Sequence, residues 1–196
     1  GEKAAKRAIT GMTYNVRSGL GDEKQGWYVM PLGHLGYLPQ CARVIREARP
    51  DWVAIEEIDN GMQRSGGVDQ TKVLAQLTGM KGYFFPKVQY EDGVYGLALL
   101  LREEPIKIWK IELGGSGKDH TRILAAAELK DAIVCATHFS LCKENRLEAA
   151  KKLKAAFGNT KKPVFIGGDF NLEPQSEEFA ALNETFMSIS GTNLKT

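Results

Sequence analysis

Val164-Phe165-Ile166-Gly167-Gly168-Asp169-Phe170-Asn171 is an apolar run opened by Pro163, stopped by two glycines and finished with a carboxylate and an amide. It reads as a buried strand, because proline is tolerated at a strand's first position and the glycines punctuate its end. A helical pattern follows near Ser176 to Leu182, and a longer one precedes it from Glu144 to Phe157, with Leu147, Ala150, Leu153 and Phe157 along one stripe. The same rhythm runs back to the start of the chain. Ala8 to Val16 reads as a strand, and Tyr37 to Ala48 as a helix carrying Leu38, Cys41, Val44 and Ile45 and ending before Pro50. Trp52-Val53-Ala54-Ile55 is continuously apolar, as in a strand covered on both faces. Asp69 to Leu77 is a second helix stopped at Gly79, and Tyr83-Phe84-Phe85 and Leu97 to Leu101 are further strands. Ile106 to Leu113, Ile123 to Leu129 and Ile133 to Phe139 then follow closely, with Gly114-Gly115 and Lys130-Asp131 as turns. Strand–helix–strand units mixed with hairpins predict α/β layers over mixed sheets. No repeat of fixed period is present.

The 196 residues suit one domain, and 43% apolar with 26% charged residues is ordinary globular usage. That composition excludes a disordered or fibrous chain. Lys+Arg 26 against Asp+Glu 24 leaves a net charge of +2, too small to announce a nucleic-acid partner. No apolar run approaches the ~18 residues of a membrane span. Cys41, Cys135 and Cys142 are too few and too scattered for a disulfide framework or a zinc site, and Cys135 in Ile133-Val134-Cys135-Ala136 reads as a buried thiol. The chain opens on Gly1, which leaves its compartment open between export after signal removal and the cytoplasm. Lys143 to Lys162 holds seven basic and two acidic residues, whereas Asp169 to Glu184 holds five acidic and none basic. A solvated helix face accounts for that asymmetry better than a nucleic-acid footprint. The glycine-containing stretch from Arg17 to Gly36 is a long loop of the functional kind.

Four polar groups close apolar runs: Asn15, the Glu56-Glu57 pair, His138, and Asp169 with Asn171. In open α/β sheets ligands bind outside the carboxyl ends of strands, so these are the places where rigid elements present chemistry. Carboxylates, amides and an imidazole so placed suit a hard divalent cation and an oxyanion, since Mg²⁺ takes few carboxylates and completes its shell with water and phosphate oxygens. Each residue also has an ordinary role. Asn15 could cap a turn, His138 could be a satisfied core residue, and Asp169 could be a turn or helix-capping residue. Strand alternation sends Glu56 and Glu57 to opposite faces, so one of the two need face a site.

Met12-Thr13-Tyr14-Asn15-Val16-Arg17, Pro50 to Asp59, Tyr95-Gly96-Leu97-Ala98-Leu99-Leu100, Ala136-Thr137-His138-Phe139 and Ile166-Gly167-Gly168-Asp169-Phe170-Asn171 together resemble the endonuclease/exonuclease/phosphatase superfamily of metal-dependent phosphoesterases. The resemblance implies a DNase I-like four-layer α/β sandwich, two mixed sheets face to face with helices outside, over a single domain 1–196. It implies Glu57 as the main ligand of Mg²⁺, with Mn²⁺ as an alternative, and Asn15 beside the metal. It implies Asp169 as the residue that orients and deprotonates the attacking water, with Asn171 and His138 as donors to phosphoryl oxygens. Arg17, Arg64 and Tyr95 fall in segments resembling substrate-side loops, and Arg122 is a possible phosphate contact. The expected activity is phosphoester hydrolysis by a monomer, on a small phosphoester in preference to nucleic acid. A nuclease and a non-catalytic phosphoester-binding domain are the alternatives. The chain departs from the pattern at Glu56, where glutamine is usual, and at Leu97, where asparagine is usual. It also reaches Thr196 without the family's closing aspartate–histidine pair, so a chain cut short at its C-terminus is expected.

Overall fold

A computed structural model describes residues 8–20, 35–115, 122–173 and 175–186. Eight strands are seen among them: β1 (Gly11–Asn15), β2 (Trp52–Asn60), β3 (Lys81–Gln89), β4 (Val94–Leu101), β5 (Lys107–Gly114), β6 (Arg122–Glu128), β7 (Ile133–His138) and β8 (Val164–Asp169). Four α-helices accompany them: α1 (Leu38–Ala48), α2 (Gln70–Thr78), α3 (Lys143–Phe157) and α4 (Glu177–Asn183). The first four strands form one sheet in the order β1-β2-β4-β3, and the last four a second sheet in the order β5-β6-β7-β8. Each is mixed: β1 runs parallel to β2 and β8 parallel to β7, and the other pairs are antiparallel.

The layers follow from the period of two along each strand. Val53 and Ile55 pack with Leu38, Cys41, Ile45 and Leu74 under α1 and α2. Trp52 and Ala54 face the other way, against Ala125, Ala127, Val134 and Ala136 of the second sheet. Leu124, Ala126, Ile133 and Cys135 turn outward onto Ala149, Leu153 and Phe157 of α3. Helices, sheet, sheet and helices therefore make the expected four-layer sandwich. Leu99 and Leu100 are both fully buried, on opposite faces of β4. Burying a leucine is worth about 1.5–3 kcal/mol, so continuous apolar runs are what hold central strands.

The structure extends several elements beyond their apolar runs. β2 continues through the acidic Glu56 and Glu57 to Asn60, and β3 runs from Lys81 to Gln89 around Tyr83–Phe85. Both gain length through β-bulges. Ile55 pairs with Ala98 but Ile58 with Gly96, so β2 carries one extra residue, and Glu57 takes a left-handed φ of 53°. Pro86 pairs with Gly96 but Val88 with Tyr95, so Lys87 is the extra residue of β3. A Cβ on Gly96 would lie 2.1 Å from the Phe85 carbonyl oxygen, so only glycine fits opposite both bulges. In α1, Val44 is exposed and Ala42 joins the buried stripe instead.

The charged faces of α3 and α4 are solvated and partly paired with each other. Lys143 meets Glu177 at 3.3 Å and Lys154 meets Glu184 at 2.7 Å across α3 and α4. Arg146 donates to buried Glu178 from Nε and Nη2 at 3.0 and 2.8 Å, and from Nη1 to the Leu141 carbonyl at 2.7 Å. Three of the basic residues of α3 thereby pair with α4. Exposed pairs contribute little, but the Arg146 contacts pin α4 and the segment after His138 to one place. Most of the Arg17–Gly36 loop and the chain beyond Phe186 lie outside the described residues.

Candidate active site

The carboxyl ends of β1, β2, β7 and β8 meet at one end of the sandwich. Register makes this explicit: Asn15 pairs with Glu56, and His138 with Asp169. Side-chain donor atoms of Glu56, His138 and Asp169 all lie within 4.8 Å of one another, and His138 Nε2 is 4.0 Å from Asp169 Oδ2. Glu57 adds a further charge, near enough to act on Glu56, His138 and Tyr95. The bulge interrupts the alternation expected of the two glutamates. Ile55 and Ile58 both face the α1–α2 core, and both acids lie at the bulge within β2, Glu56 in the tight group and Glu57 acting on it.

The Asp169 turn is built by its neighbours. Gly168 has φ of 138°, and a Cβ there would sit 1.8 Å from the Thr137 carbonyl oxygen, so β8 can turn beside β7 only with glycine. Asn171 also has a left-handed φ, 49°, a conformation that asparagine tolerates better than most residues. Its backbone N–H donates to Asp169 Oδ1 at 2.9 Å, and its Nδ2 donates to the Phe139 carbonyl at 2.7 Å. Asp169 therefore has one oxygen fixed and the other turned towards His138. An amide has two N–H bonds, so Asn171 keeps one beyond that used on Phe139.

Electrostatics set the protonation states. Burial raises the Glu56 carboxyl to about 7, with the Asp169 and Glu57 charges adding to the effect, although the Thr13 hydroxyl and the Asp169 N–H donate to it. Burial also lowers the His138 pKa, helped by the Arg122 and Lys87 cations and opposed by Asp169 and Glu57. The imidazole is thus neutral near pH 7 and offers one N–H. Burial, then the Glu57 charge, push the Tyr95 hydroxyl well above its usual range. Three crowded carboxylates with an amide and an imidazole form a hard, oxygen-rich donor set, and the unfavourable ionisation of Glu56 is the kind that a divalent cation relieves.

On the facing wall, Asp59 is fully buried. It accepts from Arg64 Nε at 2.9 Å and Nη2 at 2.7 Å, from Ser65 Oγ at 2.8 Å and from Ser18 Oγ at 3.2 Å. Gln70 ties the same residues to α2, accepting from the Asp59 N–H and donating to the Ser18 carbonyl. The Arg64 guanidinium lies over the Tyr95 ring, 5.4 Å from its centroid. Lys87 Nζ lies 5.8 Å from the same centroid.

Of the residues singled out in the sequence, His138 and Asp169 lie together with Glu56, Asn171 is bonded to Asp169, and Glu57 acts on Glu56, His138 and Tyr95, whose ring carries the Arg64 guanidinium. Asn15 is at the strand end, and its Oδ1 accepts from the Arg17 N–H at 3.0 Å, the turn-capping role open to it from the start. Arg17 lies in the left-handed turn that follows, and its side chain is not among the groups just described. Glu56 was legible as one of an acidic pair and as a departure from the family pattern, and it belongs to the tightest group. Asp59 and Lys87 were not found from sequence. The signal for Lys87 is a bulge, which no side-chain pattern announces.

This fold and strand-end cluster define a DNase I-like α/β sandwich. A model of the endonuclease/exonuclease/phosphatase family matches residues 12–189, and the chain belongs to that family. Similar solved structures include a mannosyl-6-phosphatase of Bacteroides thetaiotaomicron VPI-5482, with TM-score 0.68 and 18% identity over 90% of this chain and 70% of that one. The human Nocturnin catalytic domain with bound sulfate gives 0.59 and 21% over 88% of this chain and 68% of that one. Truncated Caenorhabditis elegans TDP2 gives 0.54 and 18% over 87% and 64%. At these identities the likeness is one of fold. No curated protein matches the chain significantly. Among the described residues no helix is long and apolar enough to cross a membrane.

Proposed function

We propose that the chain hydrolyses a phosphoester by direct attack of water, with Mg²⁺, or Mn²⁺ in its place, at the Glu56–Glu57–Asp169 end of the sheets. The observation that carries this is the convergence of three carboxylates with His138 and Asn171 on that one end, from strands far apart in sequence. Glu57 and Asn15 would hold the cation, with Glu56 beside them. A bound divalent cation supplies charge neutralisation at the phosphoryl oxygens. Asp169 is the proposed base: one oxygen is fixed by Asn171, and the other accepts a proton from a water in line with the leaving oxygen. The second Asn171 N–H and the neutral His138 N–H donate to the phosphoryl group, where negative charge is stabilised by preoriented donors.

A small phosphoester is favoured over nucleic acid, because the net charge is only +2 and part of the basic charge of α3 is paired with α4. The test is release of inorganic phosphate or alcohol from a panel of sugar phosphates, nucleotides, an aryl phosphodiester and single-stranded DNA, with Mg²⁺ and then with EDTA. Turnover of a small ester that EDTA abolishes is expected. Binding without turnover of any member would make the domain a non-catalytic phosphoester binder.

A further inference from the structure

The turn that follows His138 is held by a side chain at each of its three carbonyls. The Phe139 carbonyl accepts from Asn171 Nδ2 at 2.7 Å, and those of Ser140 and Leu141 accept from Arg146 Nη1 at 3.3 and 2.7 Å. The Phe139 N–H donates to the Asp169 carbonyl at 2.8 Å, and the Cys142 N–H to Ser140 Oγ at 2.8 Å. Phe139 is fully buried, its ring edge-on to that of Phe170 with centroids 4.9 Å apart. Behind the turn, Arg146 gives its other edge to Glu178, whose Oε1 accepts from Nε and Nη2 at 3.0 and 2.8 Å. Side-chain exposures of 16% and 3% keep this ion pair largely out of water.

Such a pair is an unfavourable way merely to join two helices. Desolvating two ions opposes their attraction, and apolar side chains of similar volume commonly hold a buried contact as well or better. What apolar residues cannot do is offer two N–H bonds from one planar group to successive carbonyls while its opposite edge is anchored. From Arg146 the contacts run without a break towards the chemistry. Arg146 fixes Ser140 and Leu141, the adjoining Phe139 carbonyl fixes the Asn171 amide, and the Asn171 N–H fixes Asp169 Oδ1 at 2.9 Å. Resting on the phosphoesterase reading above, we propose that Arg146, anchored by Glu178, is a positioning residue for the reaction. It sets the turn that aims Asn171 at the phosphoryl group and Asp169 at the attacking water. Arg146 and Glu178 act through the turn, not on substrate. A shift of the Phe139 carbonyl misdirects both groups at once, because Asn171 is held by that carbonyl and itself holds Asp169. Misplacement by about 1 Å can cost about 10²-fold in rate.

The test sets Arg146→Lys, and the apolar pair Arg146→Met with Glu178→Leu, against Leu153→Ala, a packing change about two turns further along α3. Urea unfolding is measured for each protein. So are kcat and KM with Mg²⁺ for the ester turned over fastest, and the Asn171 side-chain amide signals in a nitrogen–proton NMR spectrum, all below the Tm of every variant. Arg146→Lys is expected to lower kcat about 10²-fold with KM little changed, and to move the Asn171 signals, because an ammonium cannot span Glu178 and both carbonyls. The apolar pair is expected to match that loss at wild-type stability. Leu153→Ala is expected to lose stability but keep kcat and the Asn171 signals. An equal kcat loss in Leu153→Ala, or wild-type kcat in Arg146→Lys, would make the clamp merely structural and overturn the proposal. Should the apolar pair not fold, Arg146→Lys still decides the matter. Asn171 signals that move in Arg146→Lys, in a protein that hydrolyses no ester, would support the positioning while refuting the phosphoesterase reading. Unmoved signals with turnover retained would refute the positioning and leave that reading standing.

Discussion

Replacing Glu56 by glutamine should stabilise the metal-free protein at neutral and higher pH and do nothing in acid. Glu56 is buried, and its carboxyl titrates at about 7 rather than 4.5. Below pH 4.5 it is protonated in both folded and unfolded chains, so no difference arises. Between 4.5 and about 7 the unfolded chain has lost the proton and the folded chain has kept it. Stability therefore falls by about 1.4 kcal/mol per pH unit, reaching a total loss of about 3 kcal/mol above that range. Glutamine removes this loss while its Oε1 still accepts from the Thr13 hydroxyl, which donates to Glu56 at 3.2 Å. For a chain of this size about 3 kcal/mol is about 6–12 °C in Tm. Denaturant unfolding of both proteins in EDTA at pH 4 and pH 8 measures it directly. Near-equal stability at pH 4 and a more stable Glu56→Gln protein at pH 8 is the expected pattern. Parallel curves across that range would refute the claim that Glu56 is forced to ionise among Asp169 and Glu57.

Glu57→Gln should lower Mg²⁺-dependent turnover by about 10²–10³ while leaving the Tm within a few degrees, since it relieves charge rather than removing packing; a large Tm loss with activity intact would make Glu57 structural. Gly168→Ala should cost about 3 kcal/mol or more in urea unfolding, because its Cβ would meet the Thr137 carbonyl at 1.8 Å and its φ is 138°. Leu153→Ala, in the fully buried contact of α3 with the second sheet, should cost about 2–5 kcal/mol by the same measurement. A cost under 1 kcal/mol there would mean that α3 is not part of the folded core.

The layered architecture is legible in the sequence because burial on both faces of a strand leaves an unmistakable mark. Trp52–Ile55, Leu97–Leu101 and Ile133–Ala136 are apolar without a break, and the structure covers each from both sides. Strand ends are less legible, since cover continues past the apolar run: Glu56, Asp59 and Thr137 are buried polar residues within β2 and β7. What the pattern could not reveal is backbone irregularity. A bulge changes which face a residue meets without changing composition, so Glu56 and Glu57 share one site and Lys87 joins Tyr95. Pairing between distant charges is equally invisible in one dimension. The basic run of α3 gave no hint that α4 lay against it, and Asp59 gave none that Arg64, Ser65 and Ser18 would all donate to it.

Titration of the protein with Mn²⁺, followed by the loss of the free-ion electron paramagnetic resonance signal and repeated for Glu57→Gln and Asp169→Asn, tests the central claim most directly when turnover of a responsive phosphoester is read from the same samples. The strand-end carboxylates are predicted to bind the ion saturably, with hydrolysis rising in step with occupancy, and both variants to lose binding and turnover together. Binding and turnover unchanged in both variants would place any metal chemistry elsewhere and contradict the assignment of this cluster.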